Sequence, residues 1–226
     1  MDRSENLFTA TLRTRARLPY LLYRPGIADR REELPLLLFL HGIGERGDDL
    51  SILTRHGPPR LIEAGRDLPF IVVAPQCPMG TSWAFELGAL RALLHEIIRR
   101  HRVDTARIVV TGLSMGGFGT WHLAVENPRA FSAVVPICGG ALSATALGAR
   151  IGAIRHVPVR AFHGAKDTVV PLSKSKELVD ALIAVGGNAT LTVYPDAEHD
   201  SWTRTYDDPG LYDWMLAQKN TGFHLD

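Results

Sequence analysis

Arg107-Ile108-Val109-Val110-Thr111-Gly112-Leu113-Ser114-Met115-Gly116-Gly117-Phe118-Gly119 is the stretch on which the reading of this chain turns. Arg107–Thr111 is a short apolar, β-branched run of strand character, and Phe118 to Glu126 has the composition of a helix. Between them lies Gly-x-Ser-x-Gly. A serine on a sharp strand-to-helix turn adopts a strained backbone conformation and thrusts its hydroxyl outward. The residues two before and two after it must be small, because strand and helix approach closely there. A helix beginning at Ser114 also aims its positive end at any anion formed beside the hydroxyl. The bland alternative is a glycine-rich turn carrying an ordinary serine, and the strand–turn–helix setting weighs against it. Ser114 is the candidate nucleophile.

Outward from this turn, two kinds of segment alternate. Apolar runs appear at Leu36–Leu40, Phe70–Ala74, Ser132–Ile137, Val157–Phe162 and Thr190–Tyr194. Several lack in/out alternation, which suits strands covered on both faces. Between them are helical patterns. Leu87, Leu90, Leu94 and Ile97 form one stripe, while Arg91, His95, Arg99 and Arg100 lie off it. A second helix is predicted over Ser173 to Val185, with Val179, Leu182 and Ile183 inward. Asp208 before Pro209 reads as a cap and first-turn proline opening a last short helix. Gly139 to Ile154, small and Ala/Gly-rich, reads as a loop with a poor helix. Two early runs, Phe8–Leu12 and Tyr20–Tyr23, suit an antiparallel pair at a sheet edge. Alternating strands and helices imply a single α/β domain over residues 1–226, with a mostly parallel twisted sheet of about eight strands and helices on both faces.

Such a sheet presents its site at the carboxyl ends of its strands. The partners of Ser114 are therefore expected in loops after later strands, acid first and histidine second. Val157–Phe162 runs into His163-Gly164-Ala165-Lys166-Asp167, and Thr190–Tyr194 runs into Pro195-Asp196-Ala197-Glu198-His199. Asp167 is the candidate acid and His199 the candidate base. Asp196 and Glu198 are rival acids, but they sit too near His199 to come from the preceding strand's loop. Among the other histidines, His95 and His101 read as exposed helix-face residues, His122 lies two turns into the helix after the turn, and His163 reads as strand-end packing.

Leu36–Leu40 leads into His41-Gly42-Ile43-Gly44-Glu45-Arg46-Gly47, a glycine-rich loop that can present free amides. The backbone N–H groups of Ile43 and Met115 are the candidate oxyanion hole. Trp83 and His41 are candidate substrate-pocket residues; for Trp83 plain core packing is a near-equal alternative, and for His41 a loop-bracing hydrogen bond is the leading reading, with the pocket as the minority one. Glu45 and Arg46 read as a solvated local ion pair, with a substrate contact as the minority alternative.

The formal net charge is +1 and no run of five like charges occurs, so nothing points to nucleic acid as a partner. Cys77 and Cys138 are far apart and make no metal-binding spacing; they read as buried free thiols. No metal or organic cofactor is expected. Neither a signal-peptide run nor a membrane-length apolar stretch is evident, which makes the cytoplasm the expected compartment. Oligomeric state is open, a homodimer included.

Taken together, Leu38-Phe39-Leu40-His41-Gly42-Ile43-Gly44-Glu45-Arg46-Gly47, His56-Gly57-Pro58-Pro59, Ala74-Pro75-Gln76-Cys77-Pro78, the Ser114 turn and Pro136-Ile137-Cys138-Gly139-Gly140 resemble the compact phospholipase/carboxylesterase group of the α/β-hydrolases. That group is close to acyl-protein thioesterases and dienelactone-hydrolase-like enzymes. The resemblance covers about residues 35 to 205. It implies a serine esterase without cofactor, acting on a small-molecule ester through Ser114, His199 and Asp167 with a hole at Ile43 and Met115. A serine peptidase or amidase of the same fold, or a non-catalytic ligand-binding relative, are the alternatives; no gating domain favours the first, and three intact triad positions weigh against the second. The segment joining Ser132–Ile137 to Val157–Phe162 is too short for both a crossover helix and a lid, so short acyl chains and an open site are expected.

Overall fold

The computed structural model describes residues 1–11, 15–26 and 33–225. Eight strands form one sheet: β1 (Asp2–Thr11), β2 (Arg15–Arg24), β3 (Leu34–Leu40), β4 (Ile71–Pro75), β5 (Val103–Leu113), β6 (Ala133–Ile137), β7 (Val159–Gly164) and β8 (Ala189–Tyr194). Their order across the sheet is β1-β2-β4-β3-β5-β6-β7-β8. The β1–β2 and β2–β4 pairs are antiparallel, and every pairing from β4 to β8 is parallel. The early apolar runs thus form the expected antiparallel edge pair, with Leu12 outside the described residues. The helices are α1 (Gly57–Glu63), α2 (Leu87–Arg100), α3 (Met115–Glu126), α4 (Ala144–Gly148), α5 (Ser173–Ala184), α6 (Trp202–Asp207) and α7 (Pro209–Ala217).

The central strands are apolar throughout because both of their faces are covered. Along β3, Leu36, Leu38 and Leu40 face a core completed by α2, α3, α4 and α5. Leu37 and Phe39 face the opposite core, completed by α1, α6 and α7. Side chains one residue apart on a strand point to opposite faces, so a single unbroken run of leucines supplies both layers.

This arrangement also places the site. From β3 the chain crosses by α1 to β4 on one side; from β4 it returns by α2, over the other face, to β5 on β3's other side. The loops leaving β3 and β5 therefore diverge, and a crevice opens between their carboxyl ends. The loop after β3 carries Ile43, and the turn after β5 carries Ser114 and Met115.

One expectation needs correction, and the short crossover between β6 and β7 is as expected. Ile183 is 51% exposed, and Leu178 lies inward instead. The buried positions of α5 are Ser175, Leu178, Val179 and Leu182, a three-and-four spacing that leaves Ile183 about 40° beyond Val179, just outside the buried stripe. Between β6 and β7, the loop after Gly139 holds α4 and a 3-10 turn at Ile151–Ile154. Leu147, Ile151 and Ile154 are buried in the core, so this segment is crossover and not cover for the site. Among the described residues no helix is long and apolar enough to cross a membrane.

Asp208 caps α7 as its sequence suggests: the side chain accepts from Gly210 N at 2.8 Å, and Pro209 holds the first helical position. Asp208→Ala removes this acceptor and is expected to cost about 1 kcal/mol. For a chain of this size that lowers the melting temperature by roughly 2–4 °C, readable by calorimetry. An unchanged melting temperature would mean that the cap contributes nothing.

Candidate active site

The turn between β5 and α3 is built by close approach. A Cβ at Gly112 would lie 2.5 Å from the Gly116 carbonyl oxygen, and one at Gly116 would overlap the Leu40 carbonyl. Only glycine fits at either place. Ser114 between them has φ 52 and ψ −117, a conformation that side chains disfavour. Its N–H donates to Ile137 O at 2.9 Å, which ties the turn to β6. Cys138, the residue after Ile137, is the other non-glycine with positive φ among the described residues, at 40. Both strained residues lie at the same end of the sheet.

Strand order brings the three sequence-predicted side chains together. His199, in the loop after β8, places Nδ1 2.7 Å from Asp167 Oδ2 and Nε2 2.9 Å from Ser114 Oγ. An ionised carboxylate can only accept, so Nδ1 carries the ring proton. Nε2 is then free to accept from the serine hydroxyl. The Asp167 side chain is fully buried, while that of His199 is 20% exposed. Asp167 Oδ1 accepts from Val169 N at 2.9 Å and Val170 N at 2.8 Å. Burial alone would raise this carboxyl, but the bonds from His199, Val170 and Val169 outweigh it and hold Asp167 below its usual value. The rival acids point elsewhere: Asp196 pairs with Arg204 at 3.3 Å, and Glu198 is exposed.

Met115 opens α3, and Ile43 opens a 3-10 turn spanning Ile43–Glu45. First-turn N–H groups have no acceptor within their own helix, so both amides are free for an incoming oxyanion. They lie on the loops that leave β3 and β5, on either side of the crevice.

The structure corrects the pocket expectation for His41 and Trp83. His41 is 1% exposed and Trp83 is fully buried, so neither lines an open cleft. His41 Nε2 accepts from Cys77 N at 2.9 Å, which leaves the proton on Nδ1, donated to Gly42 O at 2.6 Å. Trp83 Nε1 donates to His41 O at 3.0 Å. Together they brace the loop that carries Ile43. Burial pushes the His41 imidazole down to about 4, the Gly42 bond offsetting only part of it. Glu45 and Arg46 are not a solvated pair either. Arg46 donates to the carbonyls of Ile43 and Thr81, and Glu45 folds inward with its carboxylate 3.8 Å from His56.

Sequence reasoning missed three residues here. Trp202 packs edge-on against His199 with ring centres 5.3 Å apart, and His56 packs on Trp202 at 5.5 Å. Trp202 is three residues beyond His199 at the start of α6, and that spacing was the available signal. His163, read as strand-end packing, is buried against Asp167, 3.2 Å from Nε2 to Oδ2. The Cys138, Asp167 and His199 donor atoms lie within 4.8 Å of one another. They make a poor metal cradle: the carboxylate and imidazole already bond to each other, and burial pushes the Cys138 thiol up to about 12, so it stays protonated.

The family model for phospholipases and carboxylesterases matches residues 86–208, more than half of the chain and the span from α2 to the end of α6. The chain belongs to the phospholipase/carboxylesterase family. Within that family setting, a Salmonella typhimurium protein named a carboxymethylenebutenolidase is 32% identical over 105 residues, 44% of this chain and 38% of that protein. The match thus spans about two fifths of the relative's length. A solved thermostable esterase superposes with a TM-score of 0.79 at 30% identity, covering 95% of this chain and 63% of that one. A dienelactone hydrolase from Klebsiella pneumoniae gives 0.68 over 96% of both chains; at 21% identity it speaks for the fold alone.

The buried His41 gives a pH test of the brace. Its folded value lies below the ordinary imidazole value near 6.5, so the unfolded chain binds the extra proton first. Its contribution therefore destabilises the protein as pH falls from about 6.5 to about 4 and stays constant below that. The size is on the order of 3 kcal/mol, at about 1.4 kcal/mol per pH unit. His41→Gln should flatten the fall in urea midpoint across this window, whatever it does to stability at neutral pH. An unchanged slope would count against a neutral, buried His41.

Proposed function

We propose that this chain is a serine carboxylesterase, with Ser114 as nucleophile, His199 as general base and acid, and Asp167 as the group that orients and stabilises the imidazole. The observation that carries this reading is the unbroken line from Ser114 Oγ through both nitrogens of His199 to Asp167, beside two free amides. Ser114 Oγ attacks the ester carbonyl as its proton passes to His199 Nε2. The carbonyl oxygen becomes an oxyanion, received by the N–H groups of Met115 and Ile43 with the start of α3 behind them. His199 returns the proton to the departing alkoxide, leaving an acyl-enzyme at Ser114. Water then repeats the sequence in reverse, with His199 taking its proton, and releases the acid. A thioester would follow the same course with a thiolate leaving.

A fluorophosphonate should label Ser114 and no other serine, read by peptide mass spectrometry. Ser114→Ala should lower kcat by about 10⁴ to 10⁶ while leaving the circular dichroism spectrum intact. Asp167→Asn should do far more damage than Asp196→Asn. Labelling elsewhere, or an alanine variant that turns over normally, rejects the nucleophile.

Substrate size follows from the surroundings of the line. The crossover from β6 to β7 is packed into the core and provides no lid. The large apolar side chains on the loops after the parallel strands, Ile43, Met79, Phe85, Leu142 and Val169, are each more than half exposed. On this reading they would offer an acyl chain a shallow apolar rim and not a tunnel. Each methylene in contact contributes about 0.8 kcal/mol, but only while rim remains to cover it. Among nitrophenyl esters of two to sixteen carbons, kcat/KM should peak between acetyl and about hexanoyl and then flatten. A steady rise to the longest chains would reveal an acyl tunnel, with the segment around Phe85 the first place to look.

A further inference from the structure

Behind the candidate acid stands a second imidazole. His163, the penultimate residue of β7, is fully buried, and its ring touches two other segments, α5 and the loop that carries Asp167. Nδ1 lies 2.7 Å from Ser175 Oγ on α5. Nε2 lies 2.8 Å from Val170 O and 3.2 Å from Asp167 Oδ2, the same oxygen that accepts from His199. A carbonyl and a carboxylate can only accept, so the ring proton sits on Nε2, shared between them. Nδ1 is then an acceptor, and the Ser175 hydroxyl, which has Gly139 O at 3.1 Å as its other acceptor, turns its one proton to the nearer Nδ1 at 2.7 Å. Burial holds His163 below the ordinary imidazole value against the opposing pull of Val170 and Asp167, so the ring is neutral and this tautomer persists.

We propose that His163 is a positioning residue for the hydrolysis: its Nε2–H clamps the acid loop to β7 and tempers how strongly Asp167 holds the proton of His199. This inference rests on the triad reading and extends it by one residue. Three hydrogen bonds reach the carboxylate, from Val169 N and Val170 N to Oδ1 and from His199 to Oδ2, and His163 Nε2, bonded to Val170 O, stands 3.2 Å from Oδ2 as a fourth N–H beside it. The Asp167 side chain has no exposed surface, so water cannot replace a donor that is removed. Without His163, Oδ2 keeps His199 alone and becomes more basic. The loop also loses the tie between Val170 O and the strand. The other titratable or charged groups facing this cluster do not offer the same bond. Cys138 is an uncharged thiol behind it, Asp200 acts on that thiol, Lys174 on α5 lies against Gly140, and Lys166 is exposed.

His163→Met fills the space without a ring nitrogen; His163→Gln keeps an amide N–H close to where Nε2 lies. In the Met variant kcat for nitrophenyl acetate should fall about ten- to hundred-fold, with KM changed less than about twofold. The acid limb of kcat/KM should move to higher pH, because a more basic Asp167 stabilises the His199 imidazolium. The Gln variant should recover most of the rate and the position of the limb. A Met variant with native kcat and limb, or a Gln variant as impaired as Met, overturns the proposal, since simple packing would predict either. Should the Met variant fail to fold, nitrogen-15 spectra of the native protein decide. His163 neutral with its proton on Nε2 throughout the pH range in which activity rises supports the clamp; a proton on Nδ1, or titration in that range, overturns it. Fluorophosphonate labelling of Ser114 separates the two readings. Absent labelling defeats the triad itself, whereas labelling with an inert His163 defeats only the clamp.

Discussion

Helix α3 lies so close over β3 and β5 that no side-chain atom fits between them: a Cβ at Gly116 would run into the Leu40 carbonyl. That contact governs the catalytic end of the molecule. Because helix and strand nearly touch, the turn between them must be as tight as a backbone allows, and Ser114 is driven to a φ of 52. A strained residue of this kind costs about 1–3 kcal/mol. The two cores that flank β3 and β5, with α3 packed into one of them, hold it there. The same approach leaves Met115 N–H free at the start of the helix and brings it beside the loop from β3 that carries Ile43. A looser contact would relax the serine and separate the two amides together.

Around this rigid turn, the polar groups are held from behind by buried partners. His41, Trp83 and the Cys77 amide lock the loop under Ile43. Asp167 is locked by two backbone amides and flanked by two imidazoles. In a low-dielectric interior such bonds are strong, and a missing partner is costly, so each network has essentially one arrangement. Its consequence is preorganisation: the acceptor at His199 Nε2 and the free amides stand in position before any substrate arrives, and nothing has to reorient as charge develops. Exposure changes across a short distance, from the buried Asp167 to the partly exposed His199 and Ser114. That gradient keeps the carboxylate dry while leaving the candidate nucleophile reachable.

How much of this was legible follows from the range of the forces involved. The strand–turn–helix around Ser114 is local, since glycine sterics and a change of hydrophobic period are written into neighbouring residues. The leucine run of β3 announced a strand covered on both faces for the same reason. Asp167 and His199 were legible as loop residues after successive strands because a parallel sheet must gather its carboxyl-end loops at one edge. Ile183 misled because apolar character alone does not say which way the last turn of a helix faces. His41 and Trp83 misled because a loop beside a site can point its side chains toward substrate or toward core, and loop composition is the same in either case.

From the sequence alone came the α/β sheet, the turn at Ser114, and the candidates for its acid and base; each depends on short-range backbone geometry or on the order of elements along the chain. Tertiary structure alone decided the pairings. Ser114 and His199 are 85 residues apart, and His199 and Asp167 are 32 apart, so their distances depend on the register of β5, β7 and β8. The surroundings of His163 are the clearest case. Its ring could have served as filler at a strand end, and only the packing of α5 and the acid loop around it sets Ser175 on one nitrogen and Asp167 on the other. Hydrogen bonds are directional and reach about 3 Å, so which buried polar groups meet is settled by three-dimensional placement and leaves no periodic trace in the chain.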